Sequence, residues 1–595
     1  MSRAQAPRPL AVLYRPHAVA MPLRHGLRAL RRQGRTEVGF GKRIEDCSTF
    51  RLADGEEGPR TYREPTKSRP AWRFFAASAW ILGLLLLMSS TGCRRHRIPT
   101  EELVVLIEQP PRNIDPRYAT TSYDFKLAYL SYARLVSVDD DALRPKLELA
   151  ERIEVVSVSA AQGMTLEVTL RDAQFSDGNP VTAEDIRYSV ERLNDEKTGS
   201  PSMRRRFSES ALRLPIEVLG PRQLRITYGK PPASYLTDLD FGIMRRGTAE
   251  PGQTSPIGAG PFVLDGEVGE VTRFVRNPHY FAGPAQSERL TVRVVRDANS
   301  RLLSLVGGSA DLTQNTVSPL LFDSVERWKD RLQLSTAPSA LLLYLGMNTE
   351  DARLRDPRVR RALALAIDRE RIIRTKLRGK ATLASSLLPP FHWAFHEPAT
   401  SLVYNPEQAK RLLDEAGFPD PDGPGGKPRL QLLYKTSTDA LPVAIARVIA
   451  AQLAEVGIAV ELRPLEFHLF LSDVKKGNFQ LYTLSSAEIA EPSLFRNFFH
   501  SSYIPSAKNL DAGLNRMRYR NPALDDLLDQ GSREIDRDKR REIYAKVQDI
   551  LAAEVPMLPL WHPDNVTVAR RVVQGFRMWP TAQLSGLVGA KKIGQ

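Results

Sequence analysis

The sequence predicts an α/β architecture in more than one domain, and three observations carry that expectation. The chain is 595 residues long, enough for two to four domains with sizeable cores. From about residue 340 onward, apolar runs of strand length alternate with stretches of helical period. Within that half, "RLQLLYK", a helix over 441–456 and "IAVELRP" form a βαβ unit. Such a unit implies two parallel strands joined by a right-handed crossover.

The N-terminal end reads differently from the rest. The net charge is +15, yet residues 1–93 hold 16 Lys+Arg against 7 Asp+Glu, leaving only +6 for the remainder. A basic excess confined to one end argues against nucleic acid as partner for the folded bulk. Residues 1–68 are rich in Arg and Pro with little apolar periodicity, so no fold is expected there, and an over-extended start is the simplest reading. Residues 69–93, "RPAWRFFAASAWILGLLLLMSSTGC", then have the layout of a secretion signal: arginines, an apolar centre, small residues and Cys93. Small residues before a cysteine resemble the lipobox of bacterial lipoproteins, in which that cysteine is lipidated. The apolar run is also long enough for an uncleaved membrane anchor. Either way the rest of the chain is placed outside the cytoplasm. The other of the two cysteines, Cys47, lies upstream, so lipidation of Cys93 would leave no thiol for a disulfide.

After a charged tether, "LVVLIEQPPRNIDP" is a buried strand entering a proline-bounded loop. Residues 150–340 read mostly as β, and "MTLEVTLR" turns Leu166, Val168 and Leu170 inward. Ser176-Asp177-Gly178-Asn179 is a turn, with Gly178 free to take positive φ. Thr182 and Asp185 have capping-box spacing, and Ala183, Ile186, Val190 and Leu193 share one helical face. Further on, Asp356-Pro357 and Asn405-Pro406 each pair an N-cap with proline at the first helical position. "FQLYTL" is a strand ending at Leu484. Helices over 523–528 and 538–553 precede a last strand, "MLPLWH".

Templates for covalent chemistry fail. There is no G-x-S-x-G, H-E-x-x-H or G-x-x-x-x-G-K-[ST]. His392 and His396 have metal-like spacing but no further ligand near them in sequence. No catalytic, metal or cofactor site is expected. A binding site asks for less: a cleft between two lobes, at the carboxyl ends of strands. The loop after Leu484 fits such a place. Glu488 there stays ionised in a closed cleft only if paired, with a ligand ammonium as natural partner; the alternative is an exposed loop glutamate.

"NIDPRYAT", "FSDGNPVTAEDIRYSVERL", "PIGAGPFVL", "RNPHYF", "GGSADLT", "LGMNT", "DPRVRRALALAIDRERI", "YNPEQAKRLLDEAGF" and the stretch from "NPALDDLL" to "MLPLW" follow one another across 101–580. Their order resembles family 5 extracellular solute-binding proteins, the dipeptide- and oligopeptide-binding components of ABC importers. The resemblance implies a two-lobed periplasmic-binding-protein fold of type II with an extra subdomain in the first lobe. Carried onto this chain, lobe I is 98–339, lobe II is 340–567, and 568–595 returns to lobe I. In the peptide-binding branch, an aromatic–x–x–Asp element four residues before a proline holds the peptide's α-amine. Here Glu488 takes the acid position and Ser485, followed by Ser486, stands where tryptophan is usual. The loop at Thr120, Thr121, Ser122 and Tyr123 resembles the edge that pairs with an extended peptide backbone. The resemblance implies a monomeric, membrane-anchored periplasmic protein that captures a small solute, foremost a short peptide, and delivers it to an inner-membrane permease. A ligand sensor or chaperone on the same fold, and then a periplasmic hydrolase, are the alternatives.

Overall fold

The computed structural model describes residues 101–159, 163–195, 200, 215–250, 255–423, 425–486, 489–507, 510 and 513–593. The signal segment, Cys93, Ala487 and Glu488 lie outside them. Among the described residues no helix is long and apolar enough to cross a membrane.

Strand Glu102–Ile107 is apolar from Leu103 to Ile107 and buried throughout. A run buried on both faces is what a central parallel strand requires. It pairs in parallel with Arg289–Val294 on one side and Leu312–Gln314 on the other. The seven-stranded sheet has the order Leu332–Ala337, Asn565–Arg570, Leu312–Gln314, Glu102–Ile107, Arg289–Val294, Val271–Arg276, Phe262–Leu264. Alternation sends Val104, Leu106, Val566 and Val568 to the face covered by helix Ala298–Gly307. Leu103, Val105, Ile107 and Leu312 point to the opposite core. The extra subdomain is a four-stranded antiparallel sheet in which Leu166, Val168 and Leu170 are buried as expected. Next to it, Gly178 has φ 82°. Thr182 and Asp185 close their capping box over helix Ala183–Asn194, whose Ala183, Ile186, Val190 and Leu193 are buried.

The second sheet has six strands in the order Ala381–Leu383, Met557–Pro563, Leu343–Met347, Leu481–Ser485, Leu430–Ser437, Ile458–Leu465. The βαβ unit is there: Leu430–Ser437 and Ile458–Leu465 are parallel, joined by helix Ala440–Ala454. One face packs helices Pro357–Ala366, Arg369–Lys376, Pro406–Glu415 and Ala440–Ala454. The other packs Phe467–Lys476, Leu494–Phe499, Pro522–Arg533 and Arg537–Glu554.

The chain crosses between the sheets twice, over residues 338–342 and at Asp564. Strand Asn565–Arg570 belongs entirely to the first sheet, so the return begins at Asn565 rather than at 568.

Candidate binding cleft

Asparagines and backbone hold the crossings together. Asn565 donates Nδ2 to the Trp579 carbonyl at 2.9 Å and accepts from Asn315 Nδ2 at 2.7 Å. Asn315 in turn accepts the Val566 amide at 2.8 Å. His562 lies against the first crossing with Nδ1 2.8 Å from the Leu341 carbonyl. Burial pulls its pKa down to about 4, so the ring is neutral at pH 7.

The loop after Leu481–Ser485 is laid along that crossing. The Ser486 amide donates to the Leu342 carbonyl at 2.8 Å, and the Leu342 amide donates back to Ser486 Oγ at 3.0 Å. Three residues on, the Ile489 amide donates to the Ala340 carbonyl at 3.0 Å. Ser486 and Ile489 are thereby fixed against the crossing. Ser485 is exposed and paired by backbone with Leu343. Ser486 is buried and its hydroxyl is committed to Leu342.

On the first lobe, Thr121 is the N-cap of helix Ser122–Ser131 and accepts the Asp124 amide through Oγ1 at 3.1 Å. The Asp124 carboxylate receives the amides of Thr120 at 3.0 Å, Thr121 at 2.9 Å and Arg112 at 2.7 Å. Burial pushes that carboxyl up, but the three amides outweigh it and hold Asp124 below the usual range. The Thr120 and Thr121 N–H groups are therefore already engaged. Ser122 is exposed at the helix start. Tyr123 lies against Glu108, and burial, then the Glu108 charge, push its hydroxyl upward. Lys126 stands 5.9 Å from the Tyr123 ring centre.

Glu108 directly follows the central strand, 3.8 Å from Arg301. The Arg301 guanidinium is buried and spent on the carbonyls of Val295, Arg296 and Thr316. The Glu108 carboxyl is raised by burial, lowered by Arg301 and Lys126, and raised again by Asp439 of the second lobe. Asp439 follows strand Leu430–Ser437, so the carboxyl ends of parallel strands from the two sheets face each other here. That is where open α/β sheets gather ligands.

The lobes also touch through side chains and backbone outside the two crossings. The Ala233 amide donates to the Ser532 carbonyl at 3.0 Å, and Arg540 Nη1 donates to the Ala233 carbonyl at 3.2 Å. Arg540 also holds the Gly531 carbonyl at 3.2 Å, Ser493 Oγ at 3.1 Å and the Glu491 carboxylate. Asp238, facing this knot, is pushed up to about 7, chiefly by burial. Arg378 reaches Asp323 across the lobes at 2.5 Å.

His392 and His396 do not converge. His392 accepts the Ala394 amide at 3.0 Å, whereas His396 lies 3.3 Å from Asp549. Burial pulls His392 down to about 4. Sequence reasoning passed over Glu108, Asp439 and Arg540. For the first two, a charge at the carboxyl end of a buried strand was the available signal.

Residues 144–505 match the family model described as bacterial extracellular solute-binding proteins, family 5 Middle. The probable di/tripeptide-binding protein 5 of Pseudomonas aeruginosa is 28% identical over 475 residues, 76% of this chain and 84% of that protein. Heme-binding protein A of Haemophilus influenzae is 26% identical over 486 residues, 76% of this chain and 84% of that protein. The crystal structure of the ABC transporter substrate-binding protein CtaP from Listeria monocytogenes has the same fold. It superposes with a TM-score of 0.71 at 23% identity, covering 82% of this chain and 99% of that one.

Proposed function

The chain belongs to the family 5 bacterial extracellular solute-binding proteins, and from that premise we propose that it captures a short peptide between its lobes and delivers it to an ABC importer permease. The lobes part by bending at 338–342 and 564 and close on the solute. Closure moves its charged groups out of water, where each must find a partner. The observation that carries the reading is the loop fastened to the hinge at Ser486 and Ile489. Ser486 and Ile489, which bracket Ala487 and Glu488 in the chain, are held there just beyond the carboxyl end of strand Leu481–Ser485. Glu488 holds the peptide's free ammonium there, in the place a carboxylate occupies in similar peptide binders. Glu108 and Asp439 add negative charge from the two lobes. Ser122, Tyr123 and Ser485 complete the walls, while Thr121 and Ser486 shape the site through their hydrogen bonds. The peptide named for the Pseudomonas relative supports this ligand class. Cys93 carries the lipid that tethers the protein to the membrane as a monomer.

The test is titration of tri-alanine and N-acetyl-tri-alanine against the parent and Glu488→Gln. A desolvated ammonium that loses its counter-charge costs at least about 2 kcal/mol, roughly thirtyfold in affinity. That loss is expected for tri-alanine alone. Equal losses for both peptides would remove Glu488 from the site, and no binding of either by the parent would end the peptide reading.

A further inference from the structure

Beside the hinge, the first lobe holds buried polar groups without partners. Gln314 ends strand Leu312–Gln314, is 8% exposed, and has no hydrogen bond at Nε2 or Oε1. Directly opposite in the antiparallel ladder stands Thr567, 3% exposed, with its Oγ1 unpaired. Alternation puts both on the face that carries Leu312 and Ala569. Trp579 is tied to that face, because Asn565, two positions before Thr567, holds its carbonyl, and Gln583 follows four residues on. Trp579 Nε1 and Gln583 Oε1 are also buried and unpaired.

Other buried atoms elsewhere in the described residues also lack partners, but here four such side chains occur in one cross-strand pair and the short segment 579–583. Neighbouring Thr313, Asn315, Asn565, Thr581 and Ser585 all have partners. Buried polar atoms are nearly always hydrogen-bonded in folded proteins, and several orphans together call for an explanation. Their chemistry is specific. Trp579 only donates, the Gln583 oxygen only accepts, Gln314 does both and Thr567 does either. No charge is among them. A ligand that satisfies the set offers N–H and C=O side by side, which is a peptide group rather than a carboxylate or an ammonium.

One residue joins this patch to the Glu488 loop. The Ala340 amide donates to the Pro580 carbonyl at 2.8 Å, and the Ala340 carbonyl accepts the Ile489 amide at 3.0 Å. We infer that Gln314, Thr567, Trp579 and Gln583 form a recognition surface for the peptide groups of the solute, next to the seat of its amine. The inference rests on the peptide reading above. On binding, the solute's amides supply the partners that these atoms lack.

The test uses the full chain and Thr567→Val, an exchange of nearly equal shape, with Gln314→Met as a second variant. In the absence of peptide, each variant melts at or above the parent's temperature, because an unpaired polar atom has left the interior. Affinity for tri-alanine falls at least fivefold, and affinity for N-acetyl-tri-alanine falls by the same factor, since the patch does not read the amine. Unchanged affinity in both variants would overturn the inference alone. A lower melting temperature without peptide, in both variants, would also overturn it by giving these side chains a structural duty. A parent that binds neither peptide would overturn the function on which it rests, and the inference with it.

Discussion

Asp238→Asn should remove a large part of the protein's pH dependence of stability. Asp238 is 8% exposed, accepts Ser234 Oγ at 3.2 Å and has Tyr228 near it on its own lobe. Glu491 and Arg540 face it from the second lobe. Burial, which disfavours the charged form, is the main cause of its rise from 3.8 to about 7. The folded protein thus keeps a proton that the unfolded chain releases near pH 4. Between those values the folded state binds more protons, so stability declines as pH rises. The contribution is complete below 3.8 and lost by about pH 7. At about 1.36 kcal/mol per pKa unit, the interval amounts to roughly 4 kcal/mol. Asparagine keeps the shape and never ionises. At pH 8 the variant should therefore exceed the parent by about 2–4 kcal/mol, with the two converging at pH 4. Urea unfolding at half-unit steps from pH 4 to 8 reads this directly, and the difference between the proteins cancels all other titrating groups. Parallel curves, or a variant less stable at pH 8, would refute the reasoning.

Ser486→Ala strands the Leu342 amide beside the hinge, at a cost of about 1–3 kcal/mol; an unaltered unfolding midpoint would show that the Leu342 amide finds another acceptor. Gly346→Ala would place a methyl 2.3 Å from Cε1 of Tyr482, a ring wedged edge-on against Tyr344 and Phe479. Overpacking of this kind costs about 1–3 kcal/mol, and a melting temperature indistinguishable from the parent's would contradict it. Cys93→Ser should abolish lipid attachment, so the protein moves from the detergent phase to the aqueous phase on cloud-point separation. Unchanged partition would leave the apolar segment itself as the anchor.

Helix boundaries were legible because their signals are local. Thr182 with Asp185, Asp356 with Pro357 and Asn405 with Pro406 satisfy orphan amides within one turn, and each starts a helix where expected. Sheet membership was less so. The last strand expected from the sequence ends at "MLPLWH", and the next one, Asn565–Arg570, which lies beyond Asp564 in the other sheet, was passed over. Only partners far away in sequence, Leu332–Ala337 and Leu343–Met347, decide that division. The site divides the same way. The loop after Leu484 stood out from its place at a strand end. Glu108 and Asp439 each look like an ordinary solvated charge until the lobes bring them together. The engagement of the Thr120 and Thr121 amides by Asp124 was hidden too, since the capping box at Thr121 spans residues that also read as a binding edge.

The paired crossings at 338–342 and 564 set an order of events. Two tethers side by side restrict the halves to swinging about the line through them, so travel grows with distance from that line. Groups beside the axis, such as Ser486, Ile489 and Asn565, hardly move. The contact of Ala233 with Ser532 joins the two halves and has to break when they part. On the proposed function, a guest reaching the axis meets groups that stay in place, and the rest of its cover arrives as the jaws shut.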